Sequence, residues 1–141
     1  MHTTRYAMLM LLFALLLCSG PARADTVTNR FTLGGVAARG KPVYVRMCST
    51  CHGMNGDGAG PAASALSSPP RDYTDATVMS AFTDAYLYRV VREGGAMVGK
   101  SPLMGPWKHV LTDQQIRDVV AYIRQFSEQG SNDGADRSHI P

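Results

Sequence analysis

The clearest periodicity lies near the C-terminus. Over TDQQIRDVVAYIRQFSEQG, from Thr112 to Gly130, Ile116, Val119, Val120, Ile123 and Phe126 recur at helical spacing and form one apolar stripe. Thr112 and Gln115 make a T-x-x-Q capping box at its start, and Gly130 is a stop signal. A second helix is predicted over TDAYLYRVVREGG, with Leu87, Val90 and Val91 on its apolar face and Gly94 or Gly95 ending it. A third is predicted over AARGKPVYVRMCSTC, Ala37 to Cys51, where Pro42 suits only a first turn. Between these segments, Gly53 to Pro70 and GGAMVGKSPLMGPW carry too many Gly and Pro residues for regular structure. No segment reads as a strand, and there is no internal repeat. The pattern predicts an all-α domain.

The N-terminal pattern differs in kind. A polar start containing Arg5 leads into AMLMLLFALLLC, Ala7 to Cys18, and then into SGPARA, which ends in an A-x-A site. These are the three regions of a secretory signal peptide, and the apolar run is shorter than the roughly 20 residues a membrane span requires. An uncleaved anchor or a lipid-modified Cys18 are the alternatives. The expected organisation is a cleaved leader over 1–24, a lead over 25–34, a domain over 35–129 and a flexible polar tail over 130–141. Export implies the periplasm.

Cleavage changes the composition that matters. The formal charge falls from +3 to +1, because Arg5 and Arg23 leave and no acid does. A nearly neutral domain gives no reason to expect nucleic acid or an anionic membrane as partner. Cys18 also leaves, so Cys48 and Cys51 are the only cysteines of the mature chain. In an oxidising compartment two spare thiols would ordinarily pair.

Cys48 and Cys51 stand one helical turn apart with His52 directly after them. Three chemistries use C-x-x-C-H. A thioredoxin-type disulfide calls for a βαβ setting, which the surrounding pattern lacks. A zinc site calls for four ligands, and the remaining mature histidines, His109 and His139, each stand alone. Covalent haem attachment needs two thiols on one helix face, one for each vinyl group, and an adjacent imidazole for the iron. The sequence supplies these.

CSTCHGMNGDGAGPAA resembles the bacterial pattern in which C-x-x-C-H-G runs into an N-G-x-G-x-G-P loop. GKSPLMGPWKHVLTDQQIRDVVAYIRQF resembles the second half of the same family, where a proline-flanked Met precedes the last helix. The chain from about Gly35 to Glu128 thus resembles a class I cytochrome c, a small monohaem electron carrier. The resemblance implies a cytochrome c fold, with about four short helices around one covalent haem c. It also implies that Gly40 and Tyr44 meet the C-terminal helix, and that the carbonyl of Pro61 accepts the second N–H of His52. The chain departs from the family at Gly105, where many relatives carry another Pro.

The sixth iron ligand separates a carrier from an enzyme. A thioether opposite His52 would favour ferrous iron and leave no open site. Met47 precedes Cys48 on the proximal side, Met54 is too near the attachment turn, and Met79 reads as core filler. Met104 lies between Pro102 and Pro106 and matches the family's Met position; Met97 is the alternative. Arg71, Tyr73 and Trp107 carry donors suited to haem propionates, although Tyr73 and Trp107 read equally well as core aromatics. The expected function is one-electron transfer between a redox donor and a redox acceptor, by a monomer in transient complexes with no small-molecule substrate. The rivals are a haem enzyme with an open distal site and a fixed subunit of a larger oxidoreductase.

Overall fold

The computed structural model describes residues 34–136, with side chains through residue 129. The leader expected over 1–24 and all but the last residue of the lead lie outside the described residues. Five α-helices are present, with no strand among the described residues. They are α1 (Ala37–Met47), α2 (Ser49–His52), α3 (Ala76–Ser80), α4 (Asp84–Glu93) and α5 (Asp113–Asp136). Three short 3-10 turns follow the attachment loop, α4 and the Met104 loop, at Ala63–Ala65, Gly95–Val98 and Trp107–His109. No helix among the described residues is long and apolar enough to cross a membrane.

Helix α5 is the spine. Its stripe of Ile116, Val119, Val120, Ile123 and Phe126 is buried throughout. The capping box closes reciprocally: Gln115 N–H donates to Thr112 Oγ1 at 3.2 Å, and Thr112 N–H donates to Gln115 Oε1 at 2.9 Å. The helix does not stop at Gly130 but runs to Asp136. One interior glycine costs only about 1 kcal/mol, too little to end a helix already propagating. The first part of the expected tail, through Asp136, is therefore helical.

Helix α1 crosses α5 at very short range. A Cβ on Gly40 would lie 2.0 Å from the carbonyl oxygen of Asp118, so only glycine permits the crossing. One turn on, Tyr44 is fully buried, with its ring 5.3 Å from that of Tyr122 and 5.2 Å from that of Phe126. The Asp118 carboxylate takes Val36 N–H at 2.7 Å and both Nε and Nη2 of Arg39 at 2.8 and 3.0 Å. One side chain of α5 thereby caps the start of α1.

Two details of α1 correct the sequence reading. Pro42 sits at the sixth helical residue, beyond the first turn. It is exposed, as is Ala38, so the carbonyl it leaves without an intrahelical donor can meet water. The helix also breaks at Cys48 rather than running through Cys51. Ser49 Oγ donates to the Val45 carbonyl at 2.6 Å, one turn back, a bond of the kind that competes with the backbone ladder. The expected first helix thus becomes α1 and α2.

Helix α4 is capped by Thr83, whose hydroxyl accepts from Tyr86 N–H at 3.1 Å, and it ends at Gly94 with φ of 88°. A buried ion pair ties it to α5: Arg124 Nε donates to Asp84 Oδ1 at 2.6 Å. The same guanidinium donates to the carbonyls of Met79 at 2.8 Å and Phe82 at 2.5 Å, which fixes the end of α3 and the turn into α4.

Candidate haem site

The helices leave a cleft of about 270 Å³. That is close to the lower end of ordinary cofactor sites, about 300 Å³. Its walls are mainly apolar, with Leu87, Val90 and Val91 of α4 supplying one side-chain face. Cys48, Cys51, His52 and Met104 all line it. Residues from α2, α4 and the loop after α4, far apart in sequence, therefore converge on one volume.

The attachment turn is held by backbone bonds from the glycine loop. Gly58 N–H donates to the His52 carbonyl at 2.9 Å, Gly60 N–H to that of Cys51 at 3.2 Å and Ala62 N–H to that of Thr50 at 2.9 Å. Tyr44 donates its hydroxyl to the Gly53 carbonyl at 2.8 Å from the core side. Cys48 and Cys51 are free thiols, each half-buried. Burial, with the neighbouring Cys51, pushes the Cys48 thiol up to about 12.

His52 is buried, and its pKa is lowered by that burial, against a smaller opposing contribution from the Arg71 carbonyl. Its Nδ1 lies 3.3 Å from the Arg71 carbonyl oxygen. A carbonyl can only accept, so the proton sits on Nδ1 and the lone pair on Nε2, where the Tyr73 hydroxyl lies 3.3 Å away; a metal bound at Nε2 would displace that contact. This corrects the expectation for Pro61. Pro61 is exposed and does not line the cleft, so its carbonyl is not where the imidazole can reach it. The acceptor comes instead from the chain that returns past the imidazole at Arg71. Among the described residues no three of His, Cys, Asp and Glu converge as a metal-binding group, so no zinc or calcium ligand set forms.

Met104 is half-buried against the core and lines the cleft, whereas Met97 is exposed and does not. The Met104 loop is pinned by its backbone. Gly95 N–H donates to the Met104 carbonyl at 2.8 Å, Met104 N–H to that of Ser101 at 3.2 Å, and Lys100 N–H to that of Gly95 at 3.0 Å. The glycine pair read only as a helix stop is thus also the seat of this loop. Met79 is fully buried core and Met54 is exposed, while Met47 lines the cleft beside Cys48.

Arg71, Tyr73 and Trp107 all reach the cleft. The Arg71 guanidinium carbon lies 5.4 Å from the ring centre of Phe82, which stacks on Tyr86 at 4.9 Å. This aromatic wall was missed in the sequence, although the i, i+4 spacing of Phe82 and Tyr86 across a helix start could have signalled it. Tyr73 is buried and stacks on His52, with ring centres 4.7 Å apart.

Two thiols and an imidazole on one turn, facing a mostly apolar cleft that a thioether also enters, fit a covalently held haem. Residues 35–123 match the family described as cytochrome c oxidase, cbb3-type, subunit III. The chain belongs to that family. It is a c-type cytochrome domain, which binds haem c and transfers electrons. No curated protein matches the chain. Among solved structures it is similar to the reducing HAO-like protein complex Kustc0457/Kustc0458 of Kuenenia stuttgartiensis. The identity is 30% and the TM-score 0.55, over 68% of this chain and 44% of the other. It is also similar to the c-type cytochrome KustC0563, at 26% identity and a TM-score of 0.53, over 62% of this chain and 95% of the other. The domain therefore spans less than half of the first of these chains and nearly all of the second.

Proposed function

We propose that the protein is a periplasmic monohaem cytochrome c with His52 and Met104 as axial ligands, carrying single electrons between larger redox proteins. The observation that carries this reading is the convergence of Cys48, Cys51, His52 and Met104 on one cleft while Met97 stays outside it. Haem supplies the Fe(II)/Fe(III) couple. Cys48 and Cys51 would hold it by thioethers, His52 Nε2 would take one axial position and Met104 Sδ the other. With both positions filled by protein, small molecules have no open site and the outer electron partners are proteins. Periplasmic location rests on the leader pattern in the sequence.

The test is a pair of absorption spectra of the matured holoprotein, wild type and Met104→Ala. The wild type is expected to be low-spin with the weak band of Met-to-ferric-iron charge transfer, and the variant to lose that band. A high-spin wild type that binds carbon monoxide readily would instead identify an open-site haem enzyme.

A second reading has support of its own. The family description names an oxidase subunit, and the HAO-like chain is more than twice the length of the matched region. On this reading the domain works as a fixed subunit of a larger oxidoreductase. Gel filtration of native extracts separates the two: a free carrier elutes at the size of this chain, a subunit much earlier.

A further inference from the structure

Met104 sits on a loop that is soft near its middle. A Cβ built on Gly105, the next residue, would meet nothing within 4 Å, so no packing restrains that glycine. Among the described residues, the hydrogen bonds of residues 96–106 run only to partners within residues 94–104. The loop therefore ties itself together, and its polar anchors to the rest of the fold lie at its neck.

The neck is closed twice. The inner closure is the bond from Gly95 N–H to the Met104 carbonyl, and it leaves no room for a side chain: a Cβ on Gly94 would lie 2.7 Å from that same oxygen. Just outside it, Lys108 Nζ donates to Glu93 Oε2 at 2.5 Å, across 15 positions of sequence. This pair joins the last residue of α4 to the 3-10 turn Trp107–His109. The other carboxylate oxygen of Glu93 takes Arg92, whose Nε faces Asp113 Oδ1 at 3.5 Å, at the first residue of α5. The bond from Lys108 is the first cause that lowers the Glu93 pKa, so the carboxylate is charged at neutral pH. The Lys108 and Glu93 side chains are 34% and 28% exposed, so water screens the pair only in part.

We propose that Glu93 and Lys108 are positioning residues for Met104: their ion pair shuts the neck of the ligand loop and so keeps the thioether in the cleft. This rests on the reading of Met104 as an iron ligand. Opening the outer closure lengthens the free segment that carries Met104, and a longer, looser segment costs more entropy to hold in one place. Met104 then yields more readily to a competing ligand. Trp107 still packs against the core beyond the loop, so the fold survives a change that the ligand feels.

The experiment titrates matured ferric holoprotein, with covalent haem, against imidazole and follows the loss of the Met-to-ferric-iron band. Lys108→Met keeps the stem and removes the charge. It is expected to bind imidazole about two- to fivefold more tightly than wild type, the scale of a part-exposed ion pair. Lys108→Arg is expected to restore the wild-type value. Glu93→Gln should act in the same direction as Lys108→Met, and the double variant should go no further than the stronger single. In about 1 M salt, where the screening length is about 3 Å, the difference between Lys108→Met and wild type should shrink. Lys41→Met makes the same charge change on an exposed position of α1 and should titrate as wild type. Unchanged imidazole affinity in Lys108→Met, an equal rise in Lys41→Met, or additive effects in the double variant each overturn the proposal. If Lys108→Met yields no holoprotein, Glu93→Gln decides alone, and an unchanged value overturns it. Failure of the ligand reading itself looks different: the wild type would show no Met-to-iron band before any variant is compared.

Discussion

Tyr44 shows how much a single side chain contributes below the cleft. It is wholly buried, and its hydroxyl donates to the Gly53 carbonyl just after the C-x-x-C-H turn. Burial is the first cause that raises its pKa, so the hydroxyl remains a donor across the working pH range. Replacing it by Phe keeps the ring packing and strands that carbonyl. Tyr44→Phe is expected to lower unfolding free energy by about 1 to 2 kcal/mol, read as a lower denaturation midpoint with unchanged slope. Unchanged stability would mean that water replaces the donor. At this scale the sequence was informative where side-chain chemistry is contiguous. Cys48, Cys51 and His52 announce themselves because attachment needs them within five residues. The partner of Nδ1 was not legible, because any residue offers a backbone carbonyl, and only the folded path decides that Arg71 rather than Pro61 supplies it.

Between elements, the decisive contact is the crossing of α1 and α5 at Gly40. A methyl there would meet the Asp118 backbone at a distance no real contact shows, and that backbone is helical and cannot yield cheaply. Gly40→Ala is expected to cost about 3 kcal/mol or more, the upper part of the overpacking range, and to lower the yield of holoprotein. A variant as stable as wild type to thermal unfolding would show that the helices can part without loss. Local rules read α5 well, since its capping box and its stripe are encoded within a few turns of one another. They read the ends poorly. Gly130 failed to stop α5, and the break at Cys48 sits beside a Ser49 hydroxyl bonded to the Val45 carbonyl, a side-chain bond that periodicity does not reveal. The pairing of Asp84 with Arg124, which locks α4 to α5, joins residues 40 apart. No pattern along one sequence selects that pair from among the other charges.

Across the whole molecule, the first and last helices of the described domain are joined at Asp118, which holds the start of α1 to the second turn of α5. Its carboxylate is 3% exposed and accepts from Arg39, Gln114 and the Val36 amide. These bonds, led by that from Arg39, hold its pKa at about 2, below the ordinary 3.8. The sign follows from proton binding: the folded state binds this proton less readily than the unfolded chain. The contribution is therefore complete above pH 3.8 and is lost as pH falls through about 2. Glu93 and Asp113 are shifted the same way by surface partners, so acid unfolding of the wild type alone does not isolate Asp118. The difference between wild type and Asp118→Asn does. The Asn variant should be less stable at pH 7, and the gap should narrow as both are taken below pH 3.8 toward pH 2. A gap that stays constant over that interval would place the stabilisation in the geometry of the side chain and not in its charge. Because α1 carries the chain into Cys48 while α5 backs the cleft through Ile123, loosening this joint should also disturb the haem environment. Within the same acid titration, the visible spectrum is therefore expected to change together with helix content in wild type. In Asp118→Asn that joint transition is expected at higher pH.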